Sequence, residues 1–383
     1  MPLDPHRAMH RDHAPLTSRM VDRLRPDVLA MHRYLVQPSQ GMLKMDAMEN
    51  PHVLSRELQQ QLGARLGAVE LNRYPGQRLG TLRAALAAHA GVPAGFELVL
   101  GNGSDELISL LSMAFDRPGA CVLAPVPGFV MYGVSAQLQG LQFVGVPLDE
   151  RFELDEPAML AAIAQHQPAL IYLAYPNNPT ANLWDDAVID RIIAAAPGFV
   201  VLDEAYQPFA GKSYMGRLAR HEHVLLMRTM SKFGLAGVRI GYLAGPVALM
   251  REIDKVRPPY NISVLNAECA LFALEHSEVF AAQARDVVAQ RELLQAALAT
   301  LPGVQSFRSD ANMVLVRLAP FAGSGEDVAS TVFQRMKARA VLVKNMAGFH
   351  PLLANCLRLT VGTATENHAM LNALKDSLCQ APQ

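Results

Sequence analysis

The sequence predicts an α/β protein, with a three-layer large domain built on a mostly parallel sheet and a smaller α+β domain. Its 383 residues exceed the usual length of one domain. Between about residues 50 and 250, short continuous apolar runs alternate with helix-like segments, which is typical of parallel strands covered on both faces. Near Arg257-Pro258-Pro259 the alternation ends and a long alanine-rich stretch follows. We therefore predict two domains of different architecture.

The large domain is predicted from six apolar runs, each of strand length. They cover residues 98–100, 120–123, 170–173, 199–202, 224–227 and 240–243. Segments between them, such as 81–90 and 187–196, have the composition and spacing of helices. Because parallel strands need such crossover helices, the pattern predicts one sheet with helices on both faces.

The part after residue 260 predicts long helices first and strands later. A helical stretch runs from about Ser263 to Leu301, with a break near His276-Ser277, and Pro302-Gly303 ends it. Strands are predicted at 313–316, 341–343 and 356–361, with a helix at about 327–338. The predicted parts are residues 1–50, an arm and a segment that joins the small domain, residues 51–260, the large domain, and residues 261–383, the small domain.

Composition and charge exclude several classes of protein. Hydrophobic residues make up 51% of the chain and charged residues 18%, which argues against disorder. The formal net charge of -1 gives no electrostatic footprint for nucleic acid or for an acidic membrane surface. No apolar run reaches the roughly 18 residues that are needed to span a bilayer. We therefore predict neither a nucleic-acid nor a membrane partner.

Cysteine and histidine usage indicates no metal site. The four cysteines are widely spread and form no CxxC pair, so neither a disulfide framework nor a zinc site is indicated. They are Cys121, Cys269, Cys356 and Cys379. We interpret His6, His10 and His13 as part of a solvated arm. The sequence thus predicts no metal and a reducing, cytoplasmic location.

The segment around Lys232 carries the first indication of chemistry. Residues 229–241, TMSKFGLAGVRIG, set one lysine among apolar, small and hydroxyl side chains. Desolvation lowers the proton affinity of such a lysine, and a neutral amine attacks carbonyl groups. Thr229, Ser231 and Arg239 can all donate hydrogen bonds to an anion. A ligand that is both an aldehyde and an anion is indicated, which suggests pyridoxal 5′-phosphate (PLP).

Other polar residues also follow the strand runs, where ligands bind in open α/β sheets. Ser104 and Asp105 lie in a glycine-rich turn before a helix and predict a phosphate cradle, the alternative being a helix N-cap. Asp203 ends an apolar strand, where its carboxylate needs a partner. That partner is a cationic ring nitrogen or, alternatively, a structural ion pair or an N-cap.

Four further side chains fit the same ligand. Asn178, between two prolines, can donate to a ring oxygen or form a plain turn, and Tyr206 can reach the same oxygen. The segment that ends with Tyr132 offers an aromatic ring either for stacking on a flat cofactor or for the core. Arg358 lies in an apolar strand and needs an anion, which is either a ligand or a structural acid.

Together these residues resemble the fold-type I PLP-dependent aminotransferases, and among them most closely the histidinol-phosphate aminotransferase family. The resemblance runs from about Tyr34 to Gly362 and implies a fold type I PLP-dependent transferase. Its motifs are Glu49-Asn50-Pro51, Arg73-Tyr74-Pro75, Gly103-Ser104-Asp105-Glu106, Asn177-Asn178-Pro179-Thr180, Asp203-Glu204-Ala205-Tyr206, the Lys232 segment, Ala311-Asn312 and Leu357-Arg358-Leu359-Thr360-Val361-Gly362.

The resemblance implies a role for each cofactor residue. Lys232 would bind the cofactor aldehyde covalently and then carry the proton between the substrate's α-carbon and C4′. Asp203 would pair with the pyridine nitrogen, Asn178 and Tyr206 would bond to the phenolic oxygen, and Tyr132 would stack on the ring. The residues implied for the cofactor phosphate are Ser104, Asp105, Ser231 and Arg239, joined by Tyr74 from the neighbouring subunit.

The resemblance also implies a substrate pocket and a homodimer with shared active sites. Arg358 would bind the carboxylate of glutamate and the phosphate of the other substrate. Tyr34 and Asn50 would line the pocket. The chain departs from the family where Met48 replaces the usual asparagine and Lys344 replaces a common arginine. Because lysine is a point charge and not a fork, Lys344 leaves the identity of the phosphorylated substrate open.

The predicted reaction is amino transfer between L-histidinol phosphate and 2-oxoglutarate, which gives imidazole acetol phosphate and L-glutamate in histidine biosynthesis. The nearest alternative is an aromatic or broad-specificity amino-acid aminotransferase. A phosphothreonine decarboxylase-like or β-lyase enzyme would share Lys232, Asp203 and Arg358. A PLP-binding regulatory module would need a DNA-binding domain, and the sequence shows no basic helix-turn-helix pattern.

Overall fold

The computed structural model describes residues 21, 23–31, 37–321 and 327–379. The chain divides into two compact units, residues 1–38 and residues 39–383. The described part of the first unit contains a five-residue helix, α1 (Pro26–Ala30), which begins with proline. Proline suits this position because its missing N–H would have no partner within the helix.

A seven-stranded sheet forms the centre of the described part of the second unit. Its strands are β2 (Phe96–Gly101), β3 (Cys121–Val126), β4 (Gln142–Pro147), β5 (Leu170–Ala174), β6 (Phe199–Asp203), β7 (Val224–Thr229) and β8 (Gly241–Pro246). Their spatial order is β2-β8-β7-β6-β5-β3-β4. Strand β8 runs antiparallel to β2 and β7, and the other neighbours are parallel.

Helices cover both faces of this sheet. Their bounds are α2 (Arg56–Gly67), α3 (Arg78–Ala90), α4 (Ser104–Ala114), α5 (Met131–Gln139), α6 (Glu156–His166), α7 (Asp186–Ala195), α8 (Val247–Asp254) and α9 (Val264–Glu275). Alternate side chains of β6 enter different cores: Val200 and Leu202 pack with α3, α6, α7 and α9, whereas Val201 packs with α4, α5 and α8. This alternation confirms the predicted three-layer architecture.

A second, antiparallel sheet forms the smaller α+β part. Among the described residues its strands are β9 (Val304–Ser306), β10 (Met313–Leu318), β12 (Lys344–Asn345) and β13 (Cys356–Thr360), in the order β12-β13-β10-β9. Its helices are α10 (Ser277–Ala299), α11 (Val328–Ala338) and α12 (Ala364–Cys379). Separately, β1 (Leu43–Lys44) pairs in parallel with β11 (Val341–Leu342), which joins residues 43–44 to this part.

The structure confirms most predicted elements and corrects two. The helix break falls at His276, between α9 and α10, and the six predicted strands of the large sheet are all present. Strand β4 was not predicted, because it lies at the sheet edge and exposes most of its residues. The predicted strand 341–343 is two short strands, β11 and β12, with different partners. The domain boundaries at residues 50 and 260 stay a prediction.

None of the helices in the described ranges combines the length and the apolar character that crossing a membrane requires.

Candidate active site

A cavity of about 360 Å³ opens at the carboxyl ends of the parallel strands. This is where open α/β sheets bind ligands, because strand-end loops converge there. Most of the residues predicted to hold the cofactor line it, namely Ser104, Asp105, Tyr132, Asn178, Asp203, Tyr206, Ser231, Lys232 and Arg239. The structure therefore brings together residues that lie up to 135 positions apart, the separation of Ser104 and Arg239 (239 - 104).

One end of the cavity is suited to an anion. Helix α4 begins there at Ser104, so unpaired backbone N–H groups and the helix dipole are available. The Arg239 guanidinium donates to Ser231 Oγ (3.2 Å) and its other terminal nitrogen lies 3.4 Å from Asp105 Oδ2. Guanidinium, hydroxyl and helix N-terminus together form a site of the kind that binds phosphate.

Two glycines permit this close packing. Gly103 has a φ of 81°, and a Cβ there would lie 2.6 Å from Arg239 Nη2. A Cβ on Gly241 would lie 2.7 Å from the backbone carbon of Gly103 and equally close to the backbone nitrogen of Ser104. A larger residue at either position would push the anion-binding groups apart.

Thr229 orients Ser231. Its hydroxyl bonds to the carbonyl of Ile240 (3.2 Å) and accepts a hydrogen bond from the backbone N–H of Ser231 (3.1 Å). The two hydroxyl oxygens are 3.0 Å apart. Thr229, which the sequence indicated as a donor to the anion, therefore also holds the strand end from which Ser231 and Lys232 project.

Lys232 lies at the other end of the cavity. Its Nζ donates to the carbonyl oxygen of Ala47 (3.0 Å) and sits 5.8 Å from the centre of the Tyr206 ring. Desolvation, and then the positive charge of Arg358, lowers the pKa of Lys232 to about 8. A sizeable neutral fraction of this amine is thus available near neutral pH, as its apolar sequence context predicted.

Asp203 is buried at the end of β6, with 4% of its surface exposed. Its Oδ1 accepts from the backbone N–H of Ala205 (3.0 Å), and its Oδ2 accepts from the hydroxyl of Tyr132 (2.7 Å). Desolvation raises the pKa of Asp203 to about 6. A buried carboxylate on a cavity wall favours a cationic partner, such as a protonated ring nitrogen.

A chain of hydrogen bonds links this wall to the second sheet. Asn178 Nδ2 donates to the Tyr206 hydroxyl (3.0 Å), and Arg358 Nη1 donates to Asn178 Oδ1 (2.7 Å). Arg358 Nη2 donates to the carbonyl of Asp46 (2.9 Å). Because Arg358 belongs to β13, the two sheets meet at the site, and the amide of Asn178 is fixed with its nitrogen toward Tyr206.

The stacking role that was predicted for Tyr132 stays a prediction. The Tyr132 ring lines the cavity and stacks with one face on Tyr172, with centroids 4.4 Å apart and planes inclined by 6°. Phe129, which also lines the cavity, meets it edge-on at 5.6 Å. The hydroxyl of Tyr132 is engaged by Asp203. Phe129 was part of the predicted aromatic segment, without a separate role.

Besides Arg358, which reaches the cavity through Asn178, three predicted residues lie outside the cavity wall. Tyr74 is 74% exposed and stacks on Tyr260, with centroids 4.2 Å apart. Asn50 Nδ2 donates to Gln283 Oε1 (3.0 Å). Lys344 pairs in register with Arg358 on the adjacent strand. Desolvation, and then the charge of Arg358, lowers the pKa of Lys344. A fourth, Tyr34, lies outside the described residues.

Met48 lines the cavity in an unusual backbone conformation. Its φ is 52°, in the left-handed region. Its N–H donates to Thr360 Oγ1 (3.1 Å) and its carbonyl accepts from Asn312 Nδ2 (3.0 Å), so both backbone groups are held by the second sheet. Asparagine tolerates this region better than methionine does, which gives a physical reason for the asparagine that the family resemblance implies at this position.

Comparison with known proteins gives the same picture. Residues 41–374 match the family model for aminotransferases of class I and II. The histidinol-phosphate aminotransferase of Polaromonas naphthalenivorans is 64% identical over 366 residues, which cover 95% of this chain and 98% of that protein. The protein of the same name from Methylibium petroleiphilum is 64% identical over 367 residues, covering 95% and 97%.

Solved structures share the fold. The histidinol-phosphate aminotransferase of Sinorhizobium meliloti, in complex with pyridoxal-5′-phosphate, has a TM-score of 0.81 and 25% identity, covering 93% of this chain and 97% of that one. The L-threonine-O-3-phosphate decarboxylase of Porphyromonas gingivalis has a TM-score of 0.74 and 22% identity, covering 88% and 99%, so the fold alone does not choose the reaction. The family model and the near full-length relatives show the family: the chain belongs to the aminotransferases of class I and II.

Proposed function

We propose that this chain is a PLP-dependent aminotransferase that moves an amino group between L-histidinol phosphate and 2-oxoglutarate, yielding imidazole acetol phosphate and L-glutamate in histidine biosynthesis. One observation carries the cofactor: Lys232, Asp203 and the Arg239 anion site line a single cavity. They match, respectively, the aldehyde, the ring nitrogen and the phosphate of one ligand. The relatives named for this reaction support the substrate.

PLP, when bound, supplies an electron sink for the carbanion that forms at the substrate's α-carbon. Lys232, with its lowered pKa, would act as the nucleophile toward the aldehyde and would then carry the proton between the α-carbon and C4′. Asp203 keeps the proton on the ring nitrogen. Asn178 and Tyr206 hold the phenolic oxygen, because the hydrogen bond between them places both polar groups on the same side of the cavity.

The remaining cofactor contacts follow from the cavity walls. The backbone of Ser104 and Asp105, the hydroxyl of Ser231 and the guanidinium of Arg239 bind the phosphate. We assign the ring-stacking position to Tyr132, which lines the cavity and is held from one side by Tyr172.

Substrate anions bind at a cationic wall behind Asn178, which is formed by Arg358 and Lys344. Arg358 reaches the cavity through Asn178, and Lys344 is its register partner on the adjacent strand. Two positive charges at this wall suit both substrates, because L-glutamate carries two carboxylates and L-histidinol phosphate carries a phosphate. Asn50 also belongs to the substrate pocket in this proposal.

We also propose a cytoplasmic homodimer with shared active sites, in which Tyr74 reaches the phosphate site of the partner. The exposed stacked pair of Tyr74 and Tyr260 supports this, since large exposed aromatic groups are typical of interfaces. Cys121, Cys269 and Cys356 are free thiols in the described ranges, which fits a reducing compartment.

A panel of amino donors tests the substrate. With 2-oxoglutarate as acceptor, we expect kcat/KM for L-histidinol phosphate to exceed that for aromatic and aliphatic amino acids at least about tenfold, a difference of 1.4 kcal/mol. A higher value for an aromatic amino acid would replace the proposal with a broad-specificity aminotransferase. Release of carbon dioxide from phosphothreonine without consumption of the 2-oxo acid would replace it with a decarboxylase.

Lys232→Arg provides the control. Arginine keeps the positive charge but is not a nucleophile at neutral pH, because its pKa is above about 12. The variant is expected to lose both the absorbance of lysine-bound PLP and all measurable amino transfer. Retention of either would refute the role of Lys232.

A further inference from the structure

Tyr132 and Asp203 form a buried pair whose role the proposed function does not use. The hydroxyl of Tyr132 is 2.7 Å from Asp203 Oδ2. Both residues are buried, with 2% and 4% of their surfaces exposed. On the opposite oxygen, the Ala205 N–H donates to Oδ1 at 3.0 Å. One donor on each oxygen fixes the plane of the carboxylate, which otherwise rotates freely about its terminal bond.

The Tyr132 ring is itself held in place. It lies against Tyr172 of β5, face to face at 4.4 Å, and against the edge of Phe129 at 5.6 Å. Stacked aromatic pairs and a buried position leave the ring a single orientation. The hydroxyl is therefore presented to Asp203 from a rigid base in helix α5 and strand β5.

The pair also keeps the carboxylate charged. Burial raises the pKa of Tyr132 far above its ordinary value, so the phenol stays protonated and donates. The environment of Asp203 opposes its ionisation, because desolvation and the negative charges of Asp105 and Glu204 raise its pKa, while the hydrogen bond from Tyr132 lowers it. A donor on a charged acceptor is among the stronger hydrogen bonds in proteins.

We propose that Tyr132 is a positioning residue, whose hydroxyl fixes the orientation and the charged state in which Asp203 meets the ring nitrogen of the cofactor. The ring and the hydroxyl of Tyr132 then have separate tasks, since the hydroxyl acts on PLP only through Asp203. This inference rests on the proposed function, because it requires PLP as the ligand.

The test compares two ligands that differ in one ring atom. We would measure dissociation constants of the apo-protein for PLP and for 1-deaza-PLP, in which a C–H group replaces the ring nitrogen. In Tyr132→Phe, which keeps the stacked ring, affinity for PLP is expected to fall about tenfold, because the charged carboxylate loses a donor. Affinity for 1-deaza-PLP, which offers Asp203 no nitrogen, is expected to change by less than about twofold.

Tyr172→Phe is the matched control, since it removes a hydroxyl from the other ring of the same stack. That hydroxyl has no hydrogen-bond partner among the described residues. Its removal is expected to leave both affinities within about twofold of the wild type. Thermal melting of each apo-protein verifies that the variants fold. Should Tyr132→Phe not fold, Tyr132→Met, also without a donor and adaptable in shape, carries the same comparison.

The outcomes separate the inference from the proposed function. Equal losses for both ligands in Tyr132→Phe would mean that the hydroxyl is only structural. No loss for either ligand would also overturn the inference. If the wild-type protein binds neither ligand, the proposed function itself is wrong.

Discussion

At Lys232, burial and charge act in the same direction. Desolvation disfavours the ammonium form, and the guanidinium of Arg358 repels it, so both lower the pKa. The ammonium group donates a hydrogen bond to the carbonyl of Ala47. Arg358, the residue proposed to bind the substrate anion, therefore also lowers the pKa of the proposed nucleophile.

The reactivity of Lys232 in the apo-protein should follow this lowered pKa. Only the neutral amine reacts, so the rate of reductive methylation is expected to rise with pH and level off above about pH 8, the value to which the pKa is lowered. Mass spectrometry of the peptide that contains Lys232 measures it, and Lys232→Arg identifies that peptide. A midpoint near the ordinary lysine value of about 10.4 would contradict the prediction.

Replacing Arg358 by glutamine should move this midpoint upward. The variant removes the second cause of the lowered pKa but leaves the first, desolvation, in place. The midpoint is therefore expected to lie between that of the wild type and the ordinary lysine value. An unchanged midpoint would show that the charge of Arg358 is screened from Lys232.

Single residues were predictable where their own sequence context carried the signal. Lys232 and Asp203 stand out because burying a charged group in an apolar run costs free energy unless the group has a partner. The hydrogen bond from Tyr132 to Asp203 was not predictable, because the two residues are 71 positions apart (203 - 132), one on helix α5 and the other on strand β6. Nothing in a linear sequence shows that these two side chains meet.

At the scale of elements, a buried ion pair joins the ends of two neighbouring strands. Glu204 follows β6 and accepts from Arg228 of β7 through both Nε (3.0 Å) and Nη2 (2.8 Å). The same carboxylate accepts from the Ser213 hydroxyl and from the backbone N–H of Tyr214. Because Glu204 is adjacent to Asp203, this network also fixes the strand end that carries the cofactor's carboxylate.

Removing the charge of Glu204 should destabilise the fold. In Glu204→Gln the guanidinium of Arg228, mostly buried, loses its counter-ion, a situation that typically costs about 3–5 kcal/mol. Thermal melting is expected to show a clearly lower midpoint. Glu222→Gln, the same change at an exposed position nearby, should melt like the wild type. A double variant, Glu204→Gln with Arg228→Met, should recover part of the loss, since no buried charge remains.

Strands were predictable in the centre of the sheet but not at its margins. Central strand β5 is apolar throughout, and β6 is apolar up to its last residue, Asp203, because both faces of these strands are covered. Edge strand β4 is mostly exposed and lacks the continuous apolar run of a central strand. The composition of β8 does not indicate that this strand runs antiparallel to its neighbours. The split between β11 and β12 depends on which partner each strand finds, which is a property of the folded chain.

At the scale of the whole molecule, the proposal of shared active sites makes a prediction for mixed dimers. Lys232→Ala should be inactive, and Tyr74→Ala should be strongly impaired through weaker cofactor binding. In a hybrid of the two, one site contains both substitutions and the other contains neither. Random association makes half of the dimers hybrids with one intact site each, so about a quarter of wild-type activity is expected.

Coexpression with two affinity tags measures this, and the doubly tagged hybrids isolated from the mixture are expected to have about half of wild-type activity, since one of their two sites is intact. Separately expressed variants mixed only in the assay provide the control, which should show no recovery before subunits exchange. Absence of activity in purified hybrids would mean that Tyr74 serves its own subunit's site, or that the subunits do not share sites.

The contact between Arg358 and Asp46 has a consequence for the order in which the protein is made. The two residues are 312 positions apart. The hydrogen bond between Ala47 and Lys232 likewise joins residues that are 185 positions apart. A ribosome releases the chain from its N-terminus, so the seven strands of the large sheet, which end at Pro246, can emerge and pair well before β13 is translated. Nascent chains thus expose Lys232 and Asp203 while the cationic wall is still missing. Stable capture of the cofactor is expected only after Arg358 has left the ribosome, which makes loading with PLP one of the last events of synthesis.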